Sequence, residues 1–473
     1  MSARNRRRLL RRKRKKTERG IALIMVMGAI AVLTVMLAEM QDSTGAELAS
    51  AMADRDSTQA EYMARSAVNL ARLLIATEPT IRQAIAPLFM LMKKTPPQLP
   101  VWEFSDRLLG AFNDSEAAKD FAGTVGLDTS LGKNLGMPGG RWELVIVDED
   151  SKINANLGAS NDIAHIRLGK ELMGLMAGPQ YNPLFEQRDS SGTFHDRMEV
   201  CSQIIDWADV DPDKFSCDTS QAAPTTRASE DAYYQLLPKP YLRKNAPYDS
   251  LEELHMVRGV GDDFWATFVD PDPSNPKKRV MTVWGQGAVN VNTAAPQTLL
   301  AVTCAGAPQA DICTDINQAS LFLTGVTMAH GITMGAPLFG GPNDFIQTMK
   351  GQGALGPLLG AMGMKPVKFL SESEFAKSIT TESKMFSIYA VGIVKGYKRE
   401  TRLSVTTVVD FRTAPSITGP PPTGAPGTTG QPVPGSPSPV PGAVPLPPGT
   451  SPDSFAAAMQ PSTGGTVVYY KIE

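Results

Sequence analysis

The longest apolar run lies near the start, in "RRKRKKTERGIALIMVMGAIAVLTVMLAEM". Residues 21–38 are uninterrupted by charge, with Thr34 as the one hydroxyl. About 18 residues at 1.5 Å each span most of a hydrocarbon core of about 30 Å. A secretory signal has a shorter apolar stretch and ends in small residues at its cut site, which this run does not match. No Pro or cluster of turn formers follows it. Leu48, Met52, Tyr62, Met63, Leu70, Leu73 and Leu74 continue at loosely helical spacing, so the pattern predicts one long helix, half in lipid and half out.

Further on, "TPPQLP" at 95–100 and the glycine-rich "GKNLGMPGG" at 132–140 break regular structure. Trp142–Val147 reads as a strand. "KMFSIYAVGIVKG" and "TRLSVTTVVDF", joined through "YKRE", read as a hairpin rich in β-branched and aromatic residues. More than 200 mainly helical and loop-like residues separate the first strand from the hairpin. The expected fold class is α+β: a long N-terminal helix packed on a small antiparallel sheet that a large helical insertion interrupts. After Phe411 the chain turns proline-rich, too poor in apolar residues to form a core, and its polyproline geometry gives a reach on the order of 100 Å. The closing "TVVYYKIE" has the composition of a strand that could join a sheet edge, but is read here as a frayed end.

Charge sharpens the picture. The first twenty residues hold eleven Lys and Arg against Glu18, a balance of +10, so the remainder stands at −12 within an overall −2. Basic residues beside an apolar span stay on the cytoplasmic side, which places the acidic bulk across the membrane. An acidic body also argues against nucleic acid as the main partner. The four cysteines lack C-x-x-C spacing, which disfavours zinc. Three disulfide pairings are open; the sequence-local one, Cys201–Cys217 with Cys304–Cys313, suits an oxidising compartment, and four buried free thiols are the alternative.

Three motifs invite chemistry. "SLEELHMVRGVGDDFWATF" has the pattern of a helix-hairpin-helix around Gly259-Val260-Gly261, but Asp262 and Asp263 would repel phosphate and instead cap the following helix, so a scaffold is favoured over a DNA contact. "GQGALG" at 351–356, with Glu372 and Glu374 downstream, satisfies G-x-G-x-x-G yet lacks the preceding strand and is followed by Pro357, so it reads as a flexible loop. "DWADVDPDKF" sets Asp209, Asp211 and Asp213 at alternate positions, with Glu230 and Asp231 downstream. It is not an EF-hand, since Lys214 and Ser220 fall where Gly and Glu are required; a calcium site and a solvated acidic loop are equally compatible with the spacing. The histidines His165, His195, His255 and His330 are scattered singly, and no nucleophile elbow, zincin motif or P-loop is present, so an enzyme is not expected.

Taken together, "ERG" before "IALIMVMGAIAVL", then "VDEDSKINANL", "QIIDWADVDPDKF", "SEDAYYQL", "PYDSLEELHMVRGVG" and "VNVNTAAPQTLLAV", in that order, resemble the minor pseudopilin K family of type II secretion systems, over residues 15–411 or so. The resemblance implies cleavage after Gly20 by a prepilin peptidase and methylation of the new amine of Ile21; many pilin-like chains begin with Phe or Met instead. Most such subunits carry Glu at the fifth mature position, a costly charge in lipid. This chain has Met25, and family K is similar in lacking the acid, which implies a subunit at a filament tip.

The implied domains are a leader at 1–20, a transmembrane part at 21–40, a pilin-like part at 41–157, a helical SAM-like insertion at 158–375, a hairpin at 376–412 and a tail at 413–473. The resemblance further implies structural calcium held by Asp209, Asp211, Glu230 and Asp231, with Asp206 and Asp213 as additional candidates. It implies the inner membrane as location. The implied partners are minor pseudopilins I and J, with exported proteins and the outer-membrane secretin beyond them. The competing expectation is a membrane-tethered, competence-type DNA receptor built on the same hairpin.

Overall fold

The computed structural model describes residues 3–91, 95–113, 139–188, 192, 194–218, 225–229, 232–333, 335–353, 355–396, 399–415 and 462–473. One helix, α1 (Ala3–Leu91), runs unbroken through the apolar segment and beyond, about 130 Å at the standard rise. From Ile21 to Met40 its large apolar side chains are all exposed; further along, Ala60, Met63, Ala64, Ala67, Val68, Ala71 and Ile75 form a buried stripe at helical spacing. The contact face is therefore mostly alanine. Leu48, Met52, Tyr62 and Leu73, expected on it, are exposed, while Leu70 and Leu74 pack at its margin.

Small residues let the helix lie very close to the sheet. A Cβ on Gly392 would sit 1.8 Å from the Ala60 carbonyl oxygen, so only glycine fits that crossing. The sheet holds four antiparallel strands in chain order, β1 (Gly140–Asp148), β2 (Met385–Lys395), β3 (Glu400–Asp410) and β4 (Thr466–Ile472). The first strand and the hairpin thus form as the β-branched runs predicted. The fourth is a correction: "TVVYYKIE" is not a frayed end but pairs with β3, with a register shift between Val467 and Tyr469. Residues 466–472 of the expected tail therefore belong to the sheet, where ladder hydrogen bonds satisfy their backbone. Arg72 donates to the Gly464 and Gly465 carbonyls, 2.8 Å each, and Arg65 to the Tyr470 hydroxyl at 3.0 Å.

The sheet is interrupted by residues 149–384, a wider span than the expected 158–375. The interruption has two cores. The first surrounds α2 (Asp162–Met176) and α3 (Arg197–Ala208), with Leu168, Leu172, Ile204 and Phe268 fully buried. The second surrounds α4 (Pro296–Gly306), α5 (Ile316–Thr333), α6 (Pro342–Met349) and α7 (Glu372–Ser378). A disulfide lies in each, Cys201–Cys217 with Cα atoms 6.1 Å apart and Cys304–Cys313 at 5.6 Å, which is the sequence-local pairing. Gly174 marks where α2 crosses α4; a Cβ there would come 2.2 Å from the Ala301 carbonyl oxygen.

Candidate functional site

The first candidate surface is the front of α1. It contains one segment long and apolar enough to cross a membrane, and none of that segment is buried. Its single hydroxyl, Thr34 Oγ1, donates to the Ala31 carbonyl at 2.8 Å, so the run presents no unsatisfied polar side chain to its surroundings. The helix passes through Gly20 and Ile21 without interruption. Ile21 and Met25 are exposed, at 59% and 69%. With methionine at the latter position, that turn demands no counter-charge from a neighbour.

The second candidate is the acidic loop leaving α3. Asp206, in the last turn of α3, is fully buried; its Oδ1 accepts from the Phe215 amide at 2.8 Å, and its Oδ2 has no hydrogen-bond partner. Arg243 donates to the Asp206 carbonyl. Burial pushes the Asp206 carboxyl up to about 7; the Phe215 N–H, Arg243 and Lys214 act against this, and Asp209 adds to it. Asp209 is also buried. Its Oδ1 accepts from the Asp211 amide at 3.3 Å, and its Oδ2 lies 3.6 Å from His165 Nδ1. Asp211 in turn accepts from the Asp213 amide at 2.8 Å. The alternate aspartates thus wind the loop by capping their own backbone.

Among the described residues no three His, Cys, Asp or Glu side chains converge as a metal site. The expected ligands Glu230 and Asp231 lie outside the described residues. What the loop does offer is an oxygen-only donor set with a buried, unpartnered carboxylate oxygen at its base, the chemistry a hard cation takes.

The hairpin around Gly259 is built for packing. Its first arm, Leu251–Met256, is a 3₁₀ turn rather than an α-helix, and its second is the short Asp262–Phe264 helix continued by one wide turn to Val269. Gly259 has φ +86°, and a Cβ there would meet Val200 Cγ2 at 2.7 Å. Asp262 and Asp263 do not cap the second arm as expected. Gly261 holds the capping position, and the two aspartates occupy the first turn, exposed where a phosphate would need to approach. Val257, Val260 and Phe264 point into the first core. Of "GQGALG", Gly351 and Gly353 follow α6 at positive φ, and Gly356 opens a short helix, Gly356–Ala361.

The histidines occupy separate settings. His165 faces Asp209, His195 lies beside Gly259, His255 stacks on Trp265 with centroids 4.1 Å apart, and His330 lines a cleft. That cleft, about 310 Å³, also contains Asp148, Ser151 and the ion pair of Glu103 with Lys277 at 2.9 Å.

Sequence reasoning missed a cluster at the joint between sheet and insertion. The motif "VDEDSK" buries three consecutive acids, Asp148, Glu149 and Asp150, together with Lys152. Asp148 Oδ2 accepts from the hydroxyls of Thr293 and Ser383. Asp150 accepts from the amides of Gln286 and Lys384 at 2.7 Å each and of Met385 at 3.1 Å. Lys152 Nζ donates to the Asp148 carbonyl at 2.7 Å, and Thr282 donates to Glu149. Burial pushes Asp148 up to about 7, and the Asp150 charge adds to that. The cluster ties the exit from β1, the middle of the insertion and the entry to β2 into one knot. A strand running straight into three consecutive acids, Asp148 to Asp150, was the available signal.

No protein-family model matches the chain, and no curated protein matches it. Among solved structures it is similar to a chain in the crystal structure of the GspK–GspI–GspJ complex from the enterotoxigenic Escherichia coli type 2 secretion system, with 13% sequence identity, 76% of this chain and 92% of that chain covered, and a TM-score of 0.40. At such values no residue role is carried across.

Proposed function

We propose that this chain is a minor pseudopilin of a type II secretion system, anchored in the inner membrane by residues 21–40 with its bulk in the periplasm. It caps the tip of the pseudopilus with minor pseudopilins I and J and starts its growth. The observation that carries this reading is α1 itself: one helix whose 21–40 segment is apolar and uncovered, with Met25 in place of an acid, and whose rear is locked on a sheet. The ordered motifs of the resemblance support it, and so does the two-lobed insertion, which is broad for a filament shaft and suited to an end. The mechanism is packing. Leu23, Ile24, Val26 and their neighbours make helix–helix contacts in and above the bilayer, where apolar side chains meet no unpaired charge. The role is structural, not enzymatic.

N-terminal analysis of the membrane-extracted protein tests the route. A methylated Ile21 at the start of the mature chain is the expected result; a start beyond Ala38 sinks the proposal, as does finding the protein repeated along the fibre. Calcium belongs to the same proposal, with Asp209, Asp211, Glu230 and Asp231 holding the ion and Asp206 and Asp213 as further oxygen donors. The ion would neutralise clustered carboxylates and tie α3 to the following strand. Added calcium should then raise the thermal midpoint of the chelator-treated protein, and Asp209→Ala should abolish the rise; an equal midpoint with and without calcium refutes the assignment.

A further inference from the structure

Glu171, on α2, is the most anomalous side chain among the described residues. It is 1% exposed, and neither carboxyl oxygen has a hydrogen-bond partner. A buried carboxyl without partners is costly unless something satisfies it. It lines a groove of about 440 Å³ formed by α2, the end of α4 and α7. One rim is apolar, with Ile163 70% and Leu370 75% exposed. The other is cationic: Arg167 and Lys170 line it with no hydrogen-bond or ion-pair partner among the described residues, and Lys377 is paired to Glu374 at 2.8 Å.

We propose that this groove docks a segment of a partner protein carrying an aspartate or glutamate beside an aliphatic side chain, its carboxylate held by Arg167 and Lys170 and hydrogen-bonded by Glu171. Charge complementarity selects this occupant. An amine or guanidinium is repelled by Arg167 and Lys170, an apolar ligand leaves Glu171 unsatisfied, and a small inorganic anion leaves the Ile163 and Leu370 rim uncovered. Protonation completes the fit. Burial pushes Glu171 up to about 8, with Arg167 acting against the rise, so in neutral solution Glu171 is an acid that donates its O–H to the incoming carboxylate. The ionisable groups around it are Arg167 and Lys170 on α2 and Glu374 and Lys377 on α7; α4 contributes none. The site does not depend on the chain's role in assembly.

The test uses the full chain in detergent micelles and a dye-labelled Leu-Glu-Leu peptide with blocked ends, followed by fluorescence anisotropy. Binding should weaken about tenfold from pH 6.5 to pH 9 as Glu171 ionises and repels the ligand. Glu171→Gln, still a neutral donor, should bind at pH 6.5 and lose this pH dependence. Lys170→Glu, a surface change, should weaken binding while near-ultraviolet circular dichroism stays that of the wild type. The proposal is overturned if no peptide binds at either pH, if Leu-Gln-Leu binds as tightly as Leu-Glu-Leu, or if Glu171→Gln retains the wild-type pH profile.

Discussion

Removing the Asp150 carboxylate should loosen the joint between sheet and insertion more than any other single truncation in the buried acid cluster. Asp150→Ala strips the acceptor from three amides, those of Gln286, Lys384 and Met385, at 2.7, 2.7 and 3.1 Å. A buried donor left without a partner costs about 1–3 kcal/mol, and bonds to a charged acceptor sit in the upper part of that range. Burial and the neighbouring Glu149 charge oppose ionisation of Asp150, however, and raise its pKa, so the net gain per bond belongs near the lower end. Three bonds at about 1 kcal/mol or slightly more give about 3–4 kcal/mol, a large share of a typical domain's 5–15 kcal/mol.

Because the described residues form three cores, the appropriate assay is local. Hydrogen–deuterium exchange of the segments around Gln286 and around Lys384–Met385 should accelerate by about 100- to 1000-fold, the equivalent of that energy, with little change at Phe268 or Phe345. Asp272→Ala, which removes a half-exposed surface carboxylate paired with Lys278 at 2.9 Å and accepting from the Ser274 hydroxyl, is the control and should cost little. If the two segments speed up less than about tenfold, or no more than in the control, the knot is not holding the joint and the reasoning is wrong.

Other outcomes follow from the same geometry. Asp148 and Glu171 have folded-state values raised to about 7 and about 8, from 3.8 and 4.5; the folded chain binds their protons more tightly, so the stability they contribute is full below about pH 4 and is lost as pH climbs through 7 and 8. Thermal midpoints measured from pH 5 to pH 9 should therefore fall, and Glu171→Gln should flatten the upper part of the slope; an unchanged slope in that variant refutes its assignment. Gly392→Val should separate α1 from the sheet, costing about 3 kcal/mol or more because the Ala60 backbone cannot yield as a side chain would. A variant with the wild-type melting temperature would show that the crossing has room. Deleting 466–473 should bare the β3 edge and promote self-association, read by sedimentation; a strictly unchanged state of association counts against β4 as a cover.

What the sequence made legible was whatever rests on local pattern. The uncharged run at 21–38, the β-branched hairpin and the short cysteine spacings each declare themselves within a few residues. The stripe on α1 was harder, because alanines at 60, 64, 67 and 71 carry little hydropathy signal and the larger Leu48 and Leu73 distract from them. β4 was misread because its side chains remain mostly exposed and its stability comes from main-chain pairing with β3, far away in sequence. The joint was invisible for a related reason: Asp148 and Asp150 find their donors at 286, 293 and 383–385. The acidic loop lay between, its carboxylates obvious and the burial of Asp206 not.

The close seat of Ala60 on Gly392 makes the helix and sheet a single mechanical part. Tension applied along the oily rod would pass straight into the strands, while the lobes join that part through the buried acids at the end of β1 and are braced against it by the pair of Lys277 with Glu103. They could be tilted, traded or enlarged without weakening the shaft that bears the pull.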